Sequence, residues 1–182
     1  NQTGALLMDY VLGKWQQKNM ITTKHFVVTT IVTSEIMKAI AAGYKIKIYD
    51  VLTGFKWIAA IIKEMEGREK YVIGLEESYG YMISDFVRDK DSVSACCIIA
   101  EMAAEAAEHN KTLYDKLIEI YTRFGFYKEG LISVYKEGKQ GAEEINRMMD
   151  NFRNNPPKEI AGIQVVRIMD YQVLKDFDLV NQ

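Results

Sequence analysis

Cysteine, histidine and proline are each nearly missing: two of each in 182 residues. Cys96 and Cys97 are adjacent, with no third cysteine to bridge to, so no disulfide framework holds this chain. They read instead as small apolar side chains on the inward face of a helix, as expected of a protein kept in a reducing cytoplasm. His25 and His109 lie far apart with no ligand spacing around them, which argues against zinc. Charge of one sign is lacking too. A formal net charge of −2 does not suit a general binder of nucleic-acid backbones, although it allows one phosphate held locally. No run of about 18 apolar residues occurs, so no membrane-spanning helix is expected. Nor is there a secretory signal, although Asn1 is not an initiator methionine and an upstream segment is conceivable. Absent as well are a Gly-x-Gly-x-x-Gly fingerprint, a Walker-type loop, a Ser/His/Asp set and a dense aspartate cluster for a metal.

What is present is 48% hydrophobic and 26% charged residues, enough to bury a real core. Leu7, Val11, Leu12 and Trp15 recur near helical spacing within Ala5 to Lys18. The β-branched run from His25 to Val32 lacks alternation, which predicts a strand buried on both faces, as in a parallel sheet. Thr33 or Ser34 can cap a following helix with Ile36, Met37 and Ile40 inward and Gly43 at its end. Lys45 to Tyr49 alternates and reads as a wetter strand near an edge. Thr53-Gly54 turns into a helix with Ile58, Ile61, Ile62 and Met65 on one face. A short strand at Tyr71-Val72-Ile73 follows. Asp91 can cap a helix to about Glu108, with Val93, Cys97, Met102 and an alanine-rich face on the sheet.

This order predicts a layered α-β-α domain with a mainly parallel, mixed sheet over residues 1–108. A linking helix is expected over 109–125, with Leu113, Leu117, Ile120, Tyr121 and Phe124 on one side. The segment 126–182 reads as the truncated start of an α+β domain. It comprises a strand over Tyr127 to Lys136, a helix over Gly141 to Arg153, a break at Pro156-Pro157 and a strand over Ile163 to Ile168.

The chemistry concentrates in Gly74-Leu75-Glu76-Glu77-Ser78-Tyr79-Gly80, directly after the third strand. Adjacent carboxylates in extended chain point apart, so Glu76 and Glu77 do not form an acid/base pair. A carboxylate beside a serine hydroxyl suits a ligand rich in hydroxyls, yet a solvated turn would carry the same residues. Thr53-Gly54 sits where backbone N–H groups can meet an anion, or is simply turn chemistry. Arg88 and Lys90 alternate with Asp85, Asp89 and Asp91, which reads either as a solvated cluster or as the phosphate end of the same site.

Five stretches in order resemble one family. They are Asn1-Gln2-Thr3-Gly4, Thr30-Ile31-Val32-Thr33-Ser34, Leu52-Thr53-Gly54-Phe55-Lys56, Gly74 to Gly80, and Asp85-Phe86-Val87-Arg88-Asp89-Lys90-Asp91. Together they are similar to the third domain, followed by the start of the fourth, of the α-D-phosphohexomutase superfamily, nearest its bacterial phosphoglucomutase branch. The resemblance implies an isomerase acting as an intramolecular phosphotransferase. A phosphoserine in the first domain exchanges phosphate with a sugar 1- or 6-phosphate through a bisphosphate such as glucose 1,6-bisphosphate. Mg2+ is held by a second-domain aspartate loop, and the fourth domain grips the idle phosphate. By motif position Glu76 and Ser78 would contact sugar hydroxyls, Thr53 and Gly54 would line the site, and Lys90 would lie near a phosphate. No catalytic residue or metal ligand is implied in this stretch. The serine loop, the aspartate loop and an Arg-x-Ser-Gly-Thr stretch do not occur in it, so the isolated chain is expected to lack mutase activity. Its expected partners are a small sugar phosphate and the remaining domains of the enzyme. Mannose and pentose phosphates stay open as substrates, as does a non-catalytic sugar-phosphate-binding module.

Overall fold

The computed structural model describes residues 1–179, which form two units, Asn1–Glu129 and the chain from Gly130 onward. The first unit runs α1 (Gln2–Gln17), β1 (His25–Thr30), α2 (Ile36–Gly43), β2 (Lys47–Val51), α3 (Phe55–Met65), β3 (Lys70–Leu75), β4 (Tyr81–Ile83), α4 (Ser92–Glu108) and α5 (Leu113–Phe124). Its four-stranded sheet has the order β2-β1-β3-β4. β1 pairs in parallel with β2 and β3, and β4 returns antiparallel to β3.

Both faces of the sheet are covered, which gives the expected α-β-α layering. Val27, Val72, Ile73 and Leu75 pack with Leu7, Leu12, Met37, Ile40, Met102 and Ile120 from α1, α2, α4 and α5. On the other face Phe26, Val28, Tyr71 and Met82 meet Phe55, Ile58 and Ile62 of α3. β1 is therefore buried on both sides from Phe26 to Thr30, as its unbroken apolar run predicts. A bulge in the β1–β3 pairing falls between the Phe26↔Tyr71 and Val28↔Gly74 partners. It gives β3 one extra residue, so adjacent Val72 and Ile73 share one core.

Several expected boundaries move. β1 stops at Thr30, because Ile31 to Ser34 turn into α2, where the Ser34 hydroxyl accepts the Ile36 N–H. β2 starts at Lys47 rather than Lys45, which adopts a left-handed φ of 54° at the end of α2; as expected, β2 lies at the sheet edge. Asp91 does cap α4, accepting from the N–H groups of Val93 and Ser94. The inward face of α4 is the expected one at Met102 and the alanines but not at Val93 and Cys97. Ala95, Met102 and Ala106 are buried, whereas Val93 is 73% exposed and both cysteines are exposed. In an alanine-rich helix the few bulky side chains, here Ile98, Ile99 and Met102, choose the face. α5 packs into the first unit by its expected apolar side, with Ile120 buried in the core, Leu113, Leu117, Tyr121 and Phe124 against it, and Arg123 bonded to Asp9 and Tyr44.

The second unit holds α6 (Gly138–Asn154) and two antiparallel hairpins, β5 (Glu159–Ile160) with β6 (Ile163–Gln164) and β7 (Arg167–Asp170) with β8 (Lys175–Asp178). The expected strand over 127–136 does not form. Leu131, Ile132 and Tyr135 lie exposed, and no described strand pairs with them. The expected strand over 163–168 is two short ones, interrupted at Val165-Val166. Arg153 ties α6 to the second hairpin through Asp170 at 2.6 Å and Gln172 at 2.6 Å. The last three residues of the expected 126–182 segment lie outside the described residues.

Candidate functional site

In parallel strands all the following loops leave from one sheet edge, and ligands of open α/β folds bind there. Here those loops are Ile31 to Ser34 after β1, Leu52 to Gly54 after β2 and Glu76 to Gly80 after β3. The last closes on itself, with the Glu76 N–H donating to the Gly80 carbonyl at 2.8 Å and Tyr79 in a left-handed φ of 61°.

Glu76 binds the loops together. Its side chain points inward and the residue is only 3% exposed. The Gly54 N–H donates to its Oε1 at 2.8 Å, and Lys90 Nζ lies 3.3 Å from its Oε2. A buried carboxylate needs such partners, because removal from water costs several kcal/mol, on the order of what its partners return. Two glycines make room for it. Gly54 has a φ of 116°, which side chains rarely adopt, and a Cβ on Gly80 would stand 2.8 Å from Oε2 and 3.2 Å from the Phe55 ring. Lys90 also lies 5.8 Å above that ring, so its ammonium sits between a carboxylate and an aromatic face.

The neighbouring carboxylate turns the other way, at the start of the turn that follows β3. Glu77 Oε2 accepts from the hydroxyls of Thr30 at 3.2 Å and Thr33 at 3.4 Å, which are themselves 2.8 Å apart. Ser34 extends this corner, its N–H donating to Asn1 Oδ1 at 2.9 Å and its hydroxyl bonding the Glu129 carboxylate. Ser78 and Tyr79 project into solvent, Tyr79 being 82% exposed, and Thr53 is exposed beside Gly54.

Of the residues singled out from sequence, the structure joins Gly54, Glu76 and Lys90 directly. It leaves Ser78 and Thr53 exposed on the same loops. Arg88 goes elsewhere, pairing with Glu66 beyond α3 at 3.0 Å. Thr30 and Thr33 lie in one of the family-like stretches and carry no expected role; hydroxyls at the end of a buried strand are the signal that marks them. Below the loop Tyr71 donates to the Met82 carbonyl at 2.7 Å, and burial, with a smaller effect of Asp85, raises its pKa well above the usual phenol value. Among the described residues no three His, Cys, Asp or Glu side chains converge to hold a metal ion. No described helix is long and apolar enough to cross a membrane. Away from this loop a hollow of about 160 Å³ lies between α1, α4 and α5, but its charges are already matched, Lys14 to Glu105, Arg123 to Asp9 and Lys116 to Glu119.

Comparison with known proteins agrees with this architecture. Residues 1–124 match the family model described as phosphoglucomutase/phosphomannomutase, alpha/beta/alpha domain III. A phosphoglucomutase of Staphylococcus haemolyticus (strain JCSC1435) is 37% identical over 175 residues, covering 96% of this chain and 31% of its own length. A phosphoglucomutase of Staphylococcus aureus (strain USA300) is 39% identical over 171 residues, covering 94% and 30%. The chain thus spans about a third of the length of these curated relatives. The open form of pp63/parafusin, a Paramecium phosphoglucomutase, superposes with a TM-score of 0.56 at 16% identity, over 96% of this chain and 30% of its own, which supports the fold alone. With more than half its residues matched, the chain belongs to the phosphoglucomutase/phosphomannomutase family, whose domain III it contains.

Proposed function

We propose that this chain supplies the sugar-reading domain of a phosphoglucomutase-type enzyme, which interconverts sugar 1- and 6-phosphates through a bisphosphate. The observation that carries the reading is the Glu76 carboxylate. It is held at the shared end of the parallel strands between the Gly54 N–H and the Lys90 ammonium, with Ser78 and Thr53 exposed beside it. In this reading Glu76 and Ser78 take sugar hydroxyls, Thr53 and Gly54 line the pocket floor, and Lys90 faces a phosphate. A mutase must accept its sugar in two flipped orientations, so a small number of hydroxyl contacts plus fixed cations for whichever phosphate is idle suits the task.

Among the described residues no three His, Cys, Asp or Glu side chains converge on a metal position, and in this reading the Mg2+ of this chemistry belongs to another part of the full-length enzyme. The phosphorylated serine and the grip on the idle phosphate would also lie there, and the whole would work in the cytoplasm. The test is the full-length enzyme in a coupled assay that converts glucose 1-phosphate to glucose 6-phosphate. Turnover is expected, with Ser78→Ala raising KM more than it lowers kcat. The 182-residue chain alone should show none. Failure of the full-length enzyme to turn over the sugar phosphate would sink the reading.

A further inference from the structure

The sugar-reading role leaves a physical difficulty at Glu76. Both of its oxygens are engaged and almost none of the residue meets solvent. Each oxygen keeps a free lone pair, but Oε1 faces the Gly54 backbone and Oε2 faces the half-exposed Lys90, so at 3% exposure the side a ligand hydroxyl can open is that of Lys90. Lys90 is able to leave. Its side chain is 51% exposed, while its backbone is anchored by the Lys90 N–H to Asp89 Oδ1 at 2.7 Å and by the Asp91 N–H to the Tyr81 carbonyl at 2.8 Å. The stem can therefore swing while the Cα stays. Gly80 keeps the space at Oε2 free of a side chain.

Departure of Lys90 has two costs, an uncompensated buried carboxylate and an ammonium without its anion. A neutral sugar relieves only the first, by donating hydroxyls to Oε2. Inorganic phosphate relieves only the second. A sugar phosphate relieves both at once. We infer that Lys90 is a specificity-determining exchange residue, moving from Glu76 Oε2 to the anion of the ligand, so that hydroxyl recognition and phosphate recognition are coupled through one ammonium. The inference rests on the reading of this loop as the sugar-phosphate site, and it adds that the site favours ligands carrying both groups over either alone.

The test uses the 182-residue chain with glucose and inorganic phosphate as probes, singly and together, followed through the backbone amides of Gly54, Glu76 to Gly80 and Lys90. Each probe should tighten the binding of the other about fivefold or more, because coupling between sites is reciprocal. In Glu76→Gln the ammonium has no carboxylate to leave, so phosphate alone should bind more tightly and the coupling should vanish. Lys90→Met, which removes the exchanging group, should also abolish the coupling and provides the same answer if the first variant does not fold. Independent binding of the two probes at these residues, or coupling that survives in either variant, overturns the exchange while leaving the sugar-phosphate site standing. Failure of both probes to perturb these amides overturns the site and the exchange together.

Discussion

Replacing Gly80 with alanine probes how tightly the loop is built around Glu76. A Cβ there would lie 2.8 Å from Glu76 Oε2 and 3.2 and 3.3 Å from two carbons of Phe55, so at least one neighbour must move by several tenths of an ångström. The carboxylate oxygen is the end of a flexible side chain, but it is enclosed and held by the Gly54 N–H and Lys90. Phe55, the first residue of α3, is buried in the core between that helix and the sheet. If Glu76 shifts, a hydrogen bond to a charged group weakens, worth about 1.5–3 kcal/mol; if Phe55 shifts, overpacking costs about 1–3 kcal/mol. Either route gives roughly 2 kcal/mol of destabilisation for Gly80→Ala. Urea unfolding followed by tryptophan fluorescence is well suited, because both tryptophans, Trp15 and Trp57, belong to the first unit. Gly130→Ala, where a Cβ meets nothing within 4 Å, is the control and should be near neutral. A Gly80→Ala protein as stable as the control would show that the loop is loose and that Glu76 is not held as described.

Three further outcomes follow from the same geometry. Burial, opposed by the Arg123 guanidinium and reinforced by the hydrogen bond to Asp9, pushes the Tyr44 phenol up to about 12. A raised folded-state pKa stabilises below the unfolded value, so this contribution is present below about pH 10 and is lost as the pH rises towards 12. Base titration of unfolding should show a shallower loss of stability in Tyr44→Phe than in the parent chain across that window, and an identical loss would contradict the burial of Tyr44. Cys96 and Cys97 should both react with a maleimide in the native chain without denaturant, as their exposed positions require; protection of both would return them to the inward face. Limited chymotrypsin digestion should cut first near Leu131 or Tyr135, which are exposed in an irregular stretch, and leave a resistant fragment ending near Glu129. A first cut within α5 would contradict its place in the first unit.

The sequence made the layering legible where one pattern admitted one solution. The unbroken apolar run at β1 could be satisfied only by burial on both faces, and the alternation at β2 only by a half-wet edge. Asp91 and the Ser94 N–H stand three residues apart, so that cap was readable as well. Helix α4 was legible only in part: Met102 and the alanines face inward as read, but Val93 and Cys97 do not, because packing of Ile98, Ile99 and Met102 on the core decided the rotation of the helix. The run from Tyr127 to Lys136 has the side chains of a strand, but strand propensity is realised only beside a partner. At the site, the divergence of Glu76 and Glu77 followed from their adjacency. Their actual partners, Gly54 and Lys90 for one and Thr30 and Thr33 for the other, depend on which loops the parallel sheet brings to one edge. Local sequence does not carry that information; strand order does.

If this chain reads a sugar phosphate, it does so at the loop from Glu76 to Gly80. The direct measurement is a titration of the isotopically labelled chain with glucose 1,6-bisphosphate, read amide by amide. The amides of Thr53, Gly54, Ser78 and Lys90 should shift together with a single affinity, and the shifts should be lost in Ser78→Ala combined with Lys90→Ala. Shifts confined to Tyr10, Lys14 and Arg123 around the hollow between α1, α4 and α5, with none at the loop, would contradict it.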